Sequence, residues 1–240
     1  MENNNATPYL KSKAIEQKSL DLLERYSKDK ARKVQLPIPV FEIIEYLGYD
    51  IDFCSFDNSD KSEETLGATY IEEKIVAINE DLPGKQEGRM HFTAAHEIGH
   101  IILHAPLKEQ RQNILCRKED GFDGTNKKAE EFQADKFASF LLMPTAAVKK
   151  SFFSIKNKPL NLKRHILIEY FSKTSRRTNA INFARKLIDA GNFTNVSKLA
   201  MVNRLIGMGL IRGLRYQKNK GKKQWRIQIT KEPLHIMAKR

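Results

Sequence analysis

The sequence predicts an α+β fold, with helices packed around a small sheet and a mostly helical, basic region after them. Three observations carry this expectation. Short stretches of alternating apolar residues lie between 49 and 79, the period of strands. Two longer stretches, 89–104 and 127–143, repeat their apolar residues at helical spacing and are stopped by Pro106 and Pro144. The charge then changes sign. Residues 145–240 hold 23 Lys+Arg against 3 Asp+Glu, a net +20, so residues 1–144 carry −7 of the total +13.

The elements follow in order. Ile15, Leu20, Leu22, Leu23 and Tyr26 mark a first helix, and Pro37 and Pro39 then break the chain. VFEIIEYLGY reads as a short helix closed by Gly48, and YDIDFCSF as a strand. LGATYIEEKIVAIN reads as two strands of a hairpin that turns at Glu72-Glu73. Residues 107–126 are polar with Gly121 and Gly124, which predicts a surface excursion. Beyond Pro144, short helices are expected over 146–153 and 162–171.

Composition narrows the class. Of 240 residues, 40% are hydrophobic and 30% charged, which suits a folded core rather than a disordered chain. No run approaches the roughly 18 apolar residues of a membrane span, and the first residues carry no secretory signal pattern. Cys54 and Cys116 form no C-x-x-C pair, which excludes a disulfide scaffold and a four-cysteine zinc site. The cytoplasm is the expected location.

The chemistry concentrates in HFTAAHEIGHIILH, which contains His96-Glu97-Ile98-Gly99-His100. On a helix, positions i and i+4 share a face about 6 Å apart, so two imidazoles there can hold one zinc ion. A catalytic zinc needs a third protein ligand and an open position for water. Glu97 stands where a carboxylate can take a proton from that water without ligating the metal. A chain with this content of His and Glu produces the spacing by chance only about 0.01 times. The flanking Phe92, Ala94, Ala95, Ile98, Ile101, Ile102 and Leu103 make the helix part of the core. Gly99 costs that helix about 1 kcal/mol relative to Ala, so a close approach to its backbone is expected there.

Spacing does not choose the third ligand. Glu130, Glu131 and Asp135 are all candidates on the next helix, and Ala134 and Ala138 are small enough to let it press on the first. Glu131 shares a stripe with Asp135, Ala138 and Leu142, whereas Glu130 shares one with Ala134, Phe137 and Leu141.

The stretch 91–104, followed by Glu131-Phe-Gln-Ala-Asp-Lys-Phe-Ala and Leu-Leu-Met-Pro144, resembles the ImmA/IrrE family of metallopeptidases over roughly residues 30–150. The resemblance implies a zincin-like domain with one zinc held by His96, His100 and Glu131, and with Glu97 as the catalytic base. It also implies cleavage of a helix-turn-helix repressor, which would derepress genes of a mobile element or a stress response. Asp135 stands where the family usually has Asn. His104 looks like the family's trailing histidine, with a supporting role rather than a ligand's. The group that polarises the substrate carbonyl is not identified, and Tyr70 on the small sheet is one candidate.

The basic region has its own order. A helix over 181–190 ends at Gly191, Asn195-Val196-Ser197 caps a second helix running to Met208, and two strand-like pieces flank the loop Lys218–Lys223 with its four lysines. That is the order of a winged helix-turn-helix, so contact with DNA is one expectation. The string also resembles the C-terminal segment of ImmA/IrrE members, where docking on the catalytic domain is the other expectation.

The expected division is an N-terminal helix and extension over 1–29, a metallopeptidase domain over 30–150 and a basic helical domain over 151–240. The expected function is zinc-dependent endopeptidase action on a protein substrate, away from membranes. The alternative is a DNA-binding regulator or sensor whose zinc site does not cut.

Overall fold

The computed structural model describes residues 9–56, 65–84, 86–107, 114–117, 126–162, 176–218 and 225–229. The expected helix over 162–171 and the loop of lysines before Gln224 lie largely outside these residues, as does most of the excursion over 107–126.

The first helix, α1 (Ser12–Asp29), buries Ile15, Ser19, Leu22 and Tyr26 on one stripe and packs on a later helix, α4 (Asn126–Leu142). The short α2 (Val40–Tyr46) follows the two prolines, and Gly48 leaves it at φ +81°, a conformation that side chains other than glycine's rarely adopt. Strand β1 (Asp50–Cys54) comes next, then β2 (Thr65–Tyr70) and β3 (Ile75–Asn79), which pair antiparallel as the hairpin expected from sequence. Two pairings were not legible in the sequence. β1 lies parallel to β3, and β4 (Ile114–Arg117), inside the polar excursion, lies antiparallel to β2. The sheet order is therefore β1-β3-β2-β4.

Helix α3 (Glu87–Leu103) lies against β2, β3 and α2 on one side and against α4 on the other. Its stop coincides with the 3-10 turn Ala105–Leu107 around Pro106. α4 ends before Pro144, and α5 (Thr145–Ile155) starts immediately after it. This mixture of helices and a small sheet fits a zincin-like domain.

The basic region folds onto this body. Helix α6 (Arg176–Gly191) and helix α7 (Lys198–Gly207) are followed by the antiparallel hairpin of β7 (Leu214–Lys218) and β8 (Trp225–Ile229). Two short strands, β5 (Leu160–Asn161) and β6 (Ile211–Arg212), pair in parallel ahead of it. Ser197 caps α7 by accepting from the Ala200 N–H at 3.1 Å, as its position predicts. The buried face of α7 carries Met201, Val202, Arg204 and Leu205. Arg204 donates to the Met143 carbonyl at 3.1 Å and to Thr145 Oγ1 at 2.6 Å, and lies 3.7 Å from Glu16. Asn195 donates to the Ile38 carbonyl at 3.0 Å, and Asn192 to that of Leu36. One apolar cluster consequently runs from Ile15 through α2, α3, α4 and α5 to Leu214.

Candidate metal centre

The site forms where α3 crosses α4. The crossing is close because both helices are small there. A methyl group at Gly99 would stand 3.0 Å from Ala134 Cα and 3.3 Å from its Cβ. The helix-propensity cost of Gly99 is thus explained by the approach of Ala134. With the axes this near, side chains one turn to either side of the contact meet end to end.

Three donors converge. His96 Nε2 and His100 Nε2 are 3.0 Å apart. Glu131 Oε2 lies 3.1 Å from His96 Nε2, and Glu131 Oε1 lies 3.4 Å from His100 Nε2. Around a zinc ion with bonds of about 2.0–2.2 Å, tetrahedral ligands stand roughly 3.3 Å from one another. The observed separations match that spacing, and the donor set of two imidazoles and a carboxylate suits such an ion. Among the described residues, His96, His100 and Glu131 are the group able to hold a metal.

The remaining ring nitrogens orient these donors. Asp135 Oδ1 accepts from His96 Nδ1 at 2.9 Å, so the lone pair of His96 is left at Nε2. His100 Nδ1 is 3.0 Å from Nδ1 of the fully buried His104, which turns His100 Nε2 toward the cluster. Burial pushes the Glu131 carboxyl up, but the neighbouring His100 and His96 rings outweigh it and hold the carboxyl well below the ordinary carboxylate range.

Each residue expected from sequence can now be placed. His96 and His100 lie side by side, and Glu131 faces both. Asp135 lies at the far nitrogen of His96, and Glu130 is buried but outside the cluster. Glu97 is fully buried on the sheet side of α3, where Oε2 accepts from Thr69 Oγ1 at 2.6 Å. Tyr70 does not join it. Adjacent strand residues point to opposite faces, so Tyr70 points away from the face on which Thr69 meets Glu97. Sequence reasoning did not find Thr69. Its one signal is a hydroxyl inside the otherwise small and apolar run Gly67-Ala68-Thr69.

Within this mixed α+β fold, two histidines and a glutamate converging from crossed helices form a group able to hold a metal ion. The family model of the peptidase M78 group, described as the IrrE N-terminal-like domain, matches residues 44–169, and the chain belongs to that family. The membership agrees with the resemblance drawn from the motifs of α3 and α4. No curated protein matches the chain significantly. No helix of the described residues is long and apolar enough to cross a membrane.

Proposed function

We propose that the chain is a zinc endopeptidase in which His96, His100 and Glu131 hold one zinc ion and Glu97 is the general base. The observation that carries this is the convergence of three donors, with the buried Glu97 next in the chain to His96 and not one of them. A zinc ion bound there supplies Lewis-acid activation of a water molecule and of the peptide carbonyl. Glu97 takes a proton from the water as its oxygen bonds to the carbonyl carbon. It then gives that proton to the amide nitrogen as the carbon–nitrogen bond breaks. Asp135 and His104 keep the two imidazoles turned inward during the cycle. A purely structural or sensing metal site has no use for Glu97, so the non-proteolytic reading leaves its burial without a cause.

The substrate we propose is a helix-turn-helix repressor, whose cleavage would release the genes of a mobile element or a stress response. The family supports a protein substrate. The test is incubation with the repressor encoded beside this chain's gene, with zinc and with a chelator, followed by mass spectrometry of the fragments. A repressor left whole with zinc, or cut equally in chelator, would refute the proposal.

A second reading concerns the basic region, and its +20 charge favours it. Helices α6 and α7 and the hairpin after them follow the order of a winged helix-turn-helix. On this reading the lysine-rich loop before Gln224 lies along a DNA backbone. The buried face of α7 is already occupied by the chain's own core, which favours docking instead. Titrating a duplex at several salt concentrations separates them. Each phosphate contact should steepen log K against log salt by about 0.9. No affinity at low salt would remove the DNA reading.

A further inference from the structure

The surroundings of Glu97 assign a role to two residues of β2. Gly67 and Thr69 are two apart, so they share a strand face, and that face meets α3 at Thr93 and Glu97, themselves one helical turn apart. Thr69 and Glu97 are both fully buried. Thr69 Oγ1 donates to Glu97 Oε2 at 2.6 Å, the short distance of a hydroxyl held by a carboxylate. The other oxygen, Glu97 Oε1, is buried with no hydrogen-bond partner among the described residues. Gly67 lies directly beneath it. A methyl group there would stand 2.9 Å from Oε1 and 2.6 Å from Thr93 Cγ2.

Valine would fill the volume of Thr69 and suits a strand equally well, so packing does not require the hydroxyl. A buried hydroxyl is unfavourable unless a strong acceptor takes it, and Glu97 is that acceptor. Nor does a strand interior favour glycine, unless another group must come close.

We infer that Thr69 is a positioning residue for Glu97: it fixes Oε2 and thereby leaves Oε1 as the oxygen that meets the reacting water, while Gly67 keeps the room that Oε1 needs. This rests on the reading of Glu97 as the base. A carboxylate free to rotate would offer either oxygen in many poses. One tied by a hydroxyl 28 positions away in sequence offers one.

Two measurements on the metal-loaded full chain test the inference. The first is a thermal-unfolding cycle of Thr69→Val, Glu97→Ala and the double variant. The expected losses in midpoint are not additive, because each single change already breaks the same hydrogen bond. Additive losses would overturn the inference. The second is the affinity of the cobalt-substituted chain for acetohydroxamic acid, followed by visible absorption. This probe binds a metal and also needs an acceptor oxygen in the base's position. Thr69→Val should weaken it by roughly tenfold, the loss of one charge-assisted hydrogen bond. Thr69→Ser should restore it to within about threefold, and Thr69→Val should add nothing once Glu97 is alanine. Affinity unchanged by Thr69→Val, or a loss that Ser does not restore, would reduce Thr69 to packing and overturn its role. A wild-type chain that takes up no cobalt would instead sink the metal-site reading, and the positioning role with it. The unfolding cycle would still report whether the two side chains are joined.

Discussion

Two helix pairs of this molecule bury polar side chains, and they do so to opposite ends. In the pair α6 and α7 and the loop between them, the N–H groups go outward to separate neighbours and do not converge, although Asn195 Oδ1 has no partner among the described residues. Arg204 spends its donors on the Met143 carbonyl and Thr145 and lies near Glu16, while Asn195 reaches the Ile38 carbonyl. In the pair α3 and α4, the polar groups point at one another with capacity left over. His96 Nε2, His100 Nε2 and Glu131 share a space that a single proton fills poorly and a cation fills well, and Glu97 Oε1 has no partner among the described residues. Polar burial alone therefore does not mark a functional site. Convergence of the buried groups on one point does.

Substitutions in the two helix pairs should have separable effects on metal content and on stability. The largest effect should come from Glu97→Gln, which removes the base and retains the ligands. Cleavage should fall by about 10²–10⁴-fold with zinc content unchanged. Metal analysis beside a cleavage assay checks this, and zinc lost along with activity would place Glu97 among the ligands. His100→Ala should give the complementary result, with both zinc and cleavage lost.

Next in size is a bulkier residue at the helix crossing. Gly99→Val places branched carbons against Ala134, whose Cα would already be 3.0 Å from a bare methyl group. Overpacking of this kind costs typically 1–3 kcal/mol, read by urea unfolding, and should also lower zinc affinity by parting the helices. A variant with wild-type stability would show that the crossing can relax.

Arg204→Met tests the other pair. It removes charge-assisted bonds at a buried site and leaves Glu16 without its cation, so a loss of about 1.5–3 kcal/mol is expected. Zinc affinity, read by competition with a chromogenic chelator, should be unaltered. A large drop would couple the two helix pairs more tightly than their geometry suggests.

The smallest effect should come from Asp135→Asn. The amide oxygen can still accept from His96 Nδ1, so zinc affinity should fall by less than the 10–100-fold typical of losing such a partner outright. A rise in affinity would mean that the exposed carboxylate opposes the site.

How much of this was readable in the sequence depended on the distance over which each relation acts. His96 and His100 were legible because a helix fixes the i, i+4 geometry without help from the rest of the chain. The close crossing was legible at Gly99, whose unfavourable propensity asked for a neighbour. The choice among Glu130, Glu131 and Asp135 was not, since Glu130 and Glu131 both lie on stripes with apolar neighbours and only the resemblance favoured Glu131. Thr69 was beyond reach, because strand alternation says that it is buried but not against what. The parallel pairing of β1 with β3 and the pairing of β4 with β2 were equally hidden, being set by the chain's return path rather than by local pattern.

The match to the family ends at residue 169, yet the apolar cluster runs on to Leu214. Gly88, in the first turn of α3, is packed so tightly on Ser197 that a methyl group there would lie 2.8 Å from its backbone nitrogen. During synthesis, α3 and α4 leave the ribosome well before Ser197 does. Until the later residues emerge, the start of α3 and the segment around Ile38 stay open to water. A chain interrupted before Ser197 would contain every proposed zinc ligand but lack the backbone that covers Gly88. The first turn of α3 is therefore covered only once the chain has reached Ser197.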